Sequence, residues 1–287
     1  MTPHLRTHLG LSFWGFHHLA YWEWGPEQAE STVVCVHGLT RQARDFDVLA
    51  RALVRTGRRV VCPDLVGRGM SDWLGDGEGY TLVQYCADMN ALIARLDVDQ
   101  VDWVGNSLGG LTGMILAGQS STPIRRLVIN DIGPFIPGAA VRRIGRYLNG
   151  PPPRFPDLAA AEVHFREILA PYGTLSDQEW HHLTEHSIRR HAEGGYILRC
   201  DPAIGEAYRP WRVGNVTMWD QWERVRCPTL LLRGEESDML LASTAEEMTR
   251  RGPKAHLLEF PGVGHVPTLM TLEQITPVIE FLTRGKA

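Results

Sequence analysis

A hydroxyl with glycine at both second neighbours, Gly105-Asn106-Ser107-Leu108-Gly109, follows the largely apolar run Val101-Asp102-Trp103-Val104. The glycines suit a tight strand-to-helix turn in which a Cβ would strike neighbouring backbone, and such a turn lifts the serine above the sheet edge. Ser107 is therefore the candidate nucleophile. A serine hydroxyl does little until a base takes its proton, and histidine titrates near neutrality. Among the twelve histidines, His265 stands in the glycine-punctuated loop Pro261-Gly262-Val263-Gly264-His265, directly after a strand-like run. Parallel α/β sheets gather their reactive groups at that edge. The imidazole in turn needs a carboxylate to fix its tautomer. Asp238, in the loop after the preceding strand, is the favoured orienting acid, and Asp131, at the end of an earlier strand, is its rival. Glu235 and Glu236 read as solvated loop charges.

Negative charge developing on a carbonyl oxygen needs donors already in place, and backbone N–H groups of rigid turns supply them. The N–H of Leu108, directly after the serine, is one candidate; that of Leu39, in the turn His37-Gly38-Leu39-Thr40, is the other. His37 and Gly38 shape that turn beside the substrate, with His37 a hydrogen-bonded residue rather than a base. Phe135, Tyr147, Trp211 and Trp219, with Phe155 and Trp222, are candidates to line an apolar pocket for an acyl or aryl group. No residue spacing suggests a metal site.

Composition narrows the class. With 287 residues, 44% hydrophobic and 22% charged, the chain can bury a large core without disulfide or metal staples. A net charge of −4 without long like-charge runs speaks against nucleic acid and against an anionic membrane surface as partners. The five cysteines show no paired spacing and read as free thiols, and no apolar run resembles a secretory signal or a membrane span, which together suit a reducing cytoplasm.

The elements needed to position these groups follow from periodicity. Leu11 to Trp24 alternates loosely and predicts a pair of antiparallel strands; Thr32–Val36, Arg58–Cys62, Val101–Val104 and Arg126–Asn130 predict buried strands separated by helices. Alternation of this kind is the signature of a mainly parallel α/β sheet. From 134 to 225 it stops. Helices are expected there at Gly138–Leu148, after the cap residue Asp157, and after the capping box Ser176-Asp177-Gln178-Glu179. Alternation resumes at Cys227–Gly234 and Ala255–Phe260. The expected division is a core of residues 1–133 and 226–287 with a helical cap of residues 134–225.

In this order His37-Gly38, Gly105-Asn106-Ser107-Leu108-Gly109, Asp238 and Gly264-His265 resemble the α/β-hydrolase superfamily over nearly the whole chain. The resemblance implies a mostly parallel eight-stranded sheet with helices on both faces, an inserted helical cap, a Ser107–Asp238–His265 triad and no cofactor. Serine at the elbow, where haloalkane dehalogenases and epoxide hydrolases carry aspartate, implies an acyl-enzyme cycle on a carboxylic ester or lactone. The wording Gly105-Asn106-Ser107-Leu108-Gly109-Gly110 also resembles the carbon–carbon hydrolases of meta-cleavage products. Leu39-Thr40-Arg41-Gln42 and Val266 depart from the glycine-proline-glycine stretch and the tryptophan usual there. A ligand-sensing receptor of the same fold is the non-enzymatic alternative.

Overall fold

The computed structural model describes residues 2–209 and 214–284, so Trp211 lies outside the described residues. The chain opens with a hairpin, β1 (His4–Ser12) and β2 (Gly15–Trp24), in register from His4 opposite Glu23 to Ser12 opposite Gly15. There follow β3 (Thr32–Val36), α1 (Asp47–Val54), β4 (Arg59–Pro63), α2 (Leu82–Arg95), β5 (Val101–Asn106), α3 (Leu108–Ala117) and β6 (Ile124–Asn130). Between β6 and the next strand of the main sheet come β7 (Phe135–Ile136), α4 (Gly138–Leu148), β8 (Arg154–Phe155), α5 (Leu158–Ile168), α6 (Asp177–Ser187), β9 (Ile188–Arg190), β10 (Tyr196–Leu198), β11 (Val216–Thr217) and α7 (Trp219–Trp222). The sheet is completed by β12 (Thr229–Gly234) and β13 (His256–Phe260), with α8 (Ala242–Met248) between them and α9 (Leu272–Thr283) after them.

The eight-stranded sheet runs β1-β2-β4-β3-β5-β6-β12-β13. Its first two strands are antiparallel to their neighbours and the other pairings are parallel. The apolar runs β3, β4, β5 and β12 are buried along their whole length because helices cover both faces. Alternate side chains sort to opposite sides. Val34 and Val36 pack with Met89 and Leu92 of α2 and Leu111 and Met114 of α3, whereas Val33 and Cys35 pack with Leu49 and Leu53 of α1 and Val278 of α9. No helix among the described residues is long and apolar enough to cross a membrane.

Side-chain caps start several of the helices, and those expected at Asp157 and at Ser176 with Glu179 are present. Thr81 caps α2 by accepting from the N–H of Gln84, Asp157 caps α5 through Ala160, and Ser176 with Glu179 forms a complete capping box on α6. The segment between β6 and β12 is not wholly helical, however. It also carries a three-stranded sheet, β8-β10-β9, and the two-stranded ladder β7-β11. Strands of two or three residues are too short for a period of two to register in sequence.

Candidate active site

β5 ends in a turn whose tightness explains both glycines. A Cβ on Gly105 would stand 2.3 Å from the carbonyl oxygen of Gly109, and one on Gly109 would stand 2.0 Å from the carbonyl oxygen of Val36. Between them Ser107 adopts φ 49° and ψ −110°, a left-handed conformation rare for a non-glycine residue. Its N–H donates to the carbonyl oxygen of Asn130 at 2.9 Å, so the elbow is tied to the end of β6.

His265 reaches the serine from the loop after β13. Its Nε2 lies 2.9 Å from Ser107 Oγ, and its Nδ1 lies 2.7 Å from Asp131 Oδ2. Asp131 is fully buried directly after β6, the sheet neighbour of the serine's own strand. Its N–H donates to the carbonyl oxygen of Leu232 at 2.8 Å, and its Oδ1 accepts from the N–H of Gly234 at 2.9 Å. One carboxylate oxygen is thus fixed by β12 and the other is presented to the imidazole.

The expectation that Asp238 orients His265 is corrected by this geometry. Asp238 is half exposed and receives Nε and Nη2 of Arg143, on α4, at 2.7 Å each. The loop after β12 turns through Ser237, whose hydroxyl accepts from the N–H of Leu240 at 3.1 Å, and the carboxylate goes to the arginine. Both aspartates follow parallel strands. The signal that favours Asp131 is its place at the very end of a strand adjoining the nucleophile's strand.

A second tie was missed in the sequence. Asn130 Nδ2 donates to Asn106 Oδ1 at 2.8 Å and to the carbonyl oxygen of Pro267 at 2.7 Å. A carbonyl can only accept, which settles the orientation of the amide. One buried side chain therefore joins the residue before Ser107 to the loop carrying His265, from the position just before Asp131. Only the order of strands in the sheet reveals this.

The turn after β3 lies against the elbow, with the Cβ position of Gly38 3.6 Å from Ser107 Cβ. His37 is fully buried; its Nε2 accepts from the N–H of Leu65 at 3.0 Å, so Nδ1 carries the proton and donates to the carbonyl oxygen of Gly38 at 2.7 Å. That carbonyl shares a peptide plane with the N–H of Leu39, which a trans bond turns to the opposite side. Burial pushes the His37 pKa down to about 3, so the ring stays neutral. Arg68 Nε holds the carbonyl oxygen of Leu39 at 2.7 Å. On the far side Leu108 opens α3, where the first N–H groups have no acceptor within the helix.

Ser107 and His265 open onto a cavity of about 570 Å³. Gly38, Leu39, Arg41 and Asp45 line it from the core, and Ile144, Tyr147, Leu169, Tyr172 and Leu183 line it from the segment between β6 and β12. Tyr147 and Gly38 thus line the cavity. His37, Phe135 and Trp219 do not: His37 is buried behind the turn, Phe135 pairs with Thr217 in the short ladder, and Trp219 stacks under the guanidinium of Arg251 at 4.2 Å. Outside the cavity, Asp47, His182 and His186 bring possible metal-ligating atoms within 4.8 Å of one another. Both oxygens of Asp47 are engaged by Arg44 at 2.7 Å, and Arg51 approaches one of them at 3.0 Å, so the charge a cation would meet is already balanced.

Comparison with known proteins agrees with this architecture. A family model described as the alpha/beta hydrolase family matches residues 33–276. A 3-hydroxybutyrate-oligomer hydrolase of Cupriavidus necator is 42% identical over 291 residues, covering 98% of each chain. The sn-1-specific diacylglycerol lipase ABHD11 of Mus musculus is 28% identical, over 81% of this chain and 74% of the lipase. The crystal structure of an alpha/beta hydrolase from Novosphingobium aromaticivorans superposes with a TM-score of 0.86 at 31% identity, covering 99% of both chains. By sequence match and by fold, the chain belongs to the alpha/beta hydrolase family.

Proposed function

We propose that the chain is a serine hydrolase of carboxylic esters in which Ser107 is the nucleophile, His265 the general base and acid, and Asp131 the group that orients His265. The observation that carries this reading is the relay of two short contacts, Ser107 Oγ to His265 Nε2 at 2.9 Å and His265 Nδ1 to Asp131 Oδ2 at 2.7 Å, opening on the cavity. Ser107 Oγ bonds the acyl carbon while His265 Nε2 takes its proton, and collapse of the tetrahedral adduct expels the alcohol, protonated by His265. Water then bonds the same carbon as His265 removes its proton, and the acid leaves as Ser107 regains a hydrogen. The N–H groups of Leu39 and Leu108 hold the oxyanion in both steps. Residues 134–225 act as the cap that closes the acyl pocket. The relative named for 3-hydroxybutyrate oligomers makes short 3-hydroxyacid esters the first substrates to try.

The test is hydrolysis of p-nitrophenyl butanoate and of the 3-hydroxybutyrate dimer by four chains. Ser107→Ala is expected to lose turnover, and Asp131→Asn to lose about 10⁴-fold in kcat, since the wrong imidazole tautomer is then favoured. Asp238→Asn is expected to lose far less. Retained turnover in Ser107→Ala would sink the proposal, and the reverse order of the two aspartates would return the orienting role to Asp238.

A further inference from the structure

Among the described residues two arginines line the cavity, and each is forked onto a carboxylate, yet the two forks differ in a way that bears on substrate. Arg41 donates from Nε and Nη2 to Asp45 at 2.7 and 2.8 Å, and Gln42 adds a third bond to Asp45 at 2.7 Å. Arg41 and Asp45 are both buried, so parting them would strand two charges away from water. Arg143 and Asp238 are each 50% exposed. Half-exposed pairs of this kind contribute little net stability, because either partner can return to solvent. Arg143 therefore offers a cavity-lining guanidinium whose carboxylate can be exchanged.

We propose that Arg143 is the binding point for a carboxylate carried on the alcohol side of the substrate ester, and that Asp238 occupies that point until the substrate arrives. This rests on the ester-hydrolase reading above and narrows it to esters of hydroxyacids. The bidentate contact of Asp238 marks where a planar carboxylate fits, with two parallel N–H···O bonds of the kind that make arginine selective for that group. The cavity wall is apolar at Leu39, Ile144, Leu169 and Leu183, so an acyl chain and a charged end find different surroundings. Arg143 stands on α4 and Asp238 on the loop after β12, so the exchange also trades a link between cap and core for one between cap and substrate. Glu236 shares the cavity wall and opposes a second negative charge, which makes the preference sensitive to salt.

The experiment compares 3-(butanoyloxy)butanoate with its primary amide, two substrates with one identical ester bond and with or without the negative charge. Wild type is expected to favour the acid by about tenfold or more in kcat/KM, chiefly through KM. Arg143→Gln is expected to bring the ratio near one, and Arg143→Lys, which keeps the charge without the fork, to fall between. Asp238→Asn removes the competing carboxylate and is expected to lower KM for the acid. Equal kcat/KM for acid and amide in wild type, or hydrolysis of neither beside intact turnover of p-nitrophenyl butanoate, would overturn the inference and leave the ester-hydrolase reading standing; loss of all three would overturn both. A kcat loss beyond a hundredfold in Asp238→Asn would also overturn it, since Asp238 would then serve the chemistry itself. If Arg143→Gln does not fold, the lysine variant and Asp238→Asn decide the matter.

Discussion

Ser107 and Asp131 both lie in the left-handed region, at φ 49° and 58°. An L-residue there costs on the order of 1–2 kcal/mol, and glycine escapes most of it. Ser107→Gly is therefore expected to raise Tm while turnover disappears, as calorimetry and an ester assay on the same preparation would show; a fall in Tm would mean that the hydroxyl stabilises the turn. His37 invites a second prediction at this scale. Its folded pKa of about 3 lies below the ordinary 6.5, so the unfolded chain takes up a proton that the folded chain refuses as pH falls below 6.5. The contribution of His37 to stability is complete above that pH and declines below it by up to about 1.4 kcal/mol per pH unit. Asp64, whose pKa burial raises to about 6, has the opposite slope between its ordinary 3.8 and that value. Comparison with His37→Gln cancels the Asp64 contribution. Denaturant titrations at pH 7.5 and pH 5 should show the wild-type advantage shrinking by about 2 kcal/mol at the lower pH. A constant gap would refute the neutral, buried imidazole.

Among elements, the site depends on three neighbouring strands delivering their ends to one place. β5 brings Ser107, β6 brings Asn130 and Asp131, and β12 fixes Asp131 through Leu232 and Gly234. The amide of Asn130 then joins the serine turn to the loop that carries His265. Asn130→Ala removes both bonds and leaves a buried carbonyl unpaired, at a cost of about 1–3 kcal/mol. The sharper expectation is kinetic. Because Asn130 acts through the placement of Ser107 and His265, kcat should fall at least tenfold with little change in KM, and steady-state measurement on p-nitrophenyl butanoate separates the two. A rise in KM alone would place the residue in substrate binding instead.

For the whole molecule, the cavity is shared between the sheet's loops and the segment between β6 and β12, so its shape belongs to neither alone. Ile144, on α4, lines it together with Ser107. Ile144→Trp adds bulk to a space of about 570 Å³ and should cut the ratio of octanoyl to acetyl ester turnover by about tenfold, as a series of p-nitrophenyl esters would measure. An unaltered ratio would mean that long acyl chains leave the cavity by another route.

The alternation of strands and helices in the core, the caps of α5 and α6, the elbow around Ser107 and the histidine loop were legible in the amino-acid sequence, because each depends on residues within a few positions of one another. Hydrophobic period, cap chemistry and glycine placement act locally. Which aspartate meets His265 was not legible. Asp131 and Asp238 both follow strands, and the choice turned on sheet order and on Arg143, which lies 95 positions from Asp238 in the chain. The same holds for the tie made by Asn130, for His37 facing away from the cavity and for the division of the cavity wall. Contacts between distant segments depend on how whole elements pack, and that packing was decided only in the folded chain.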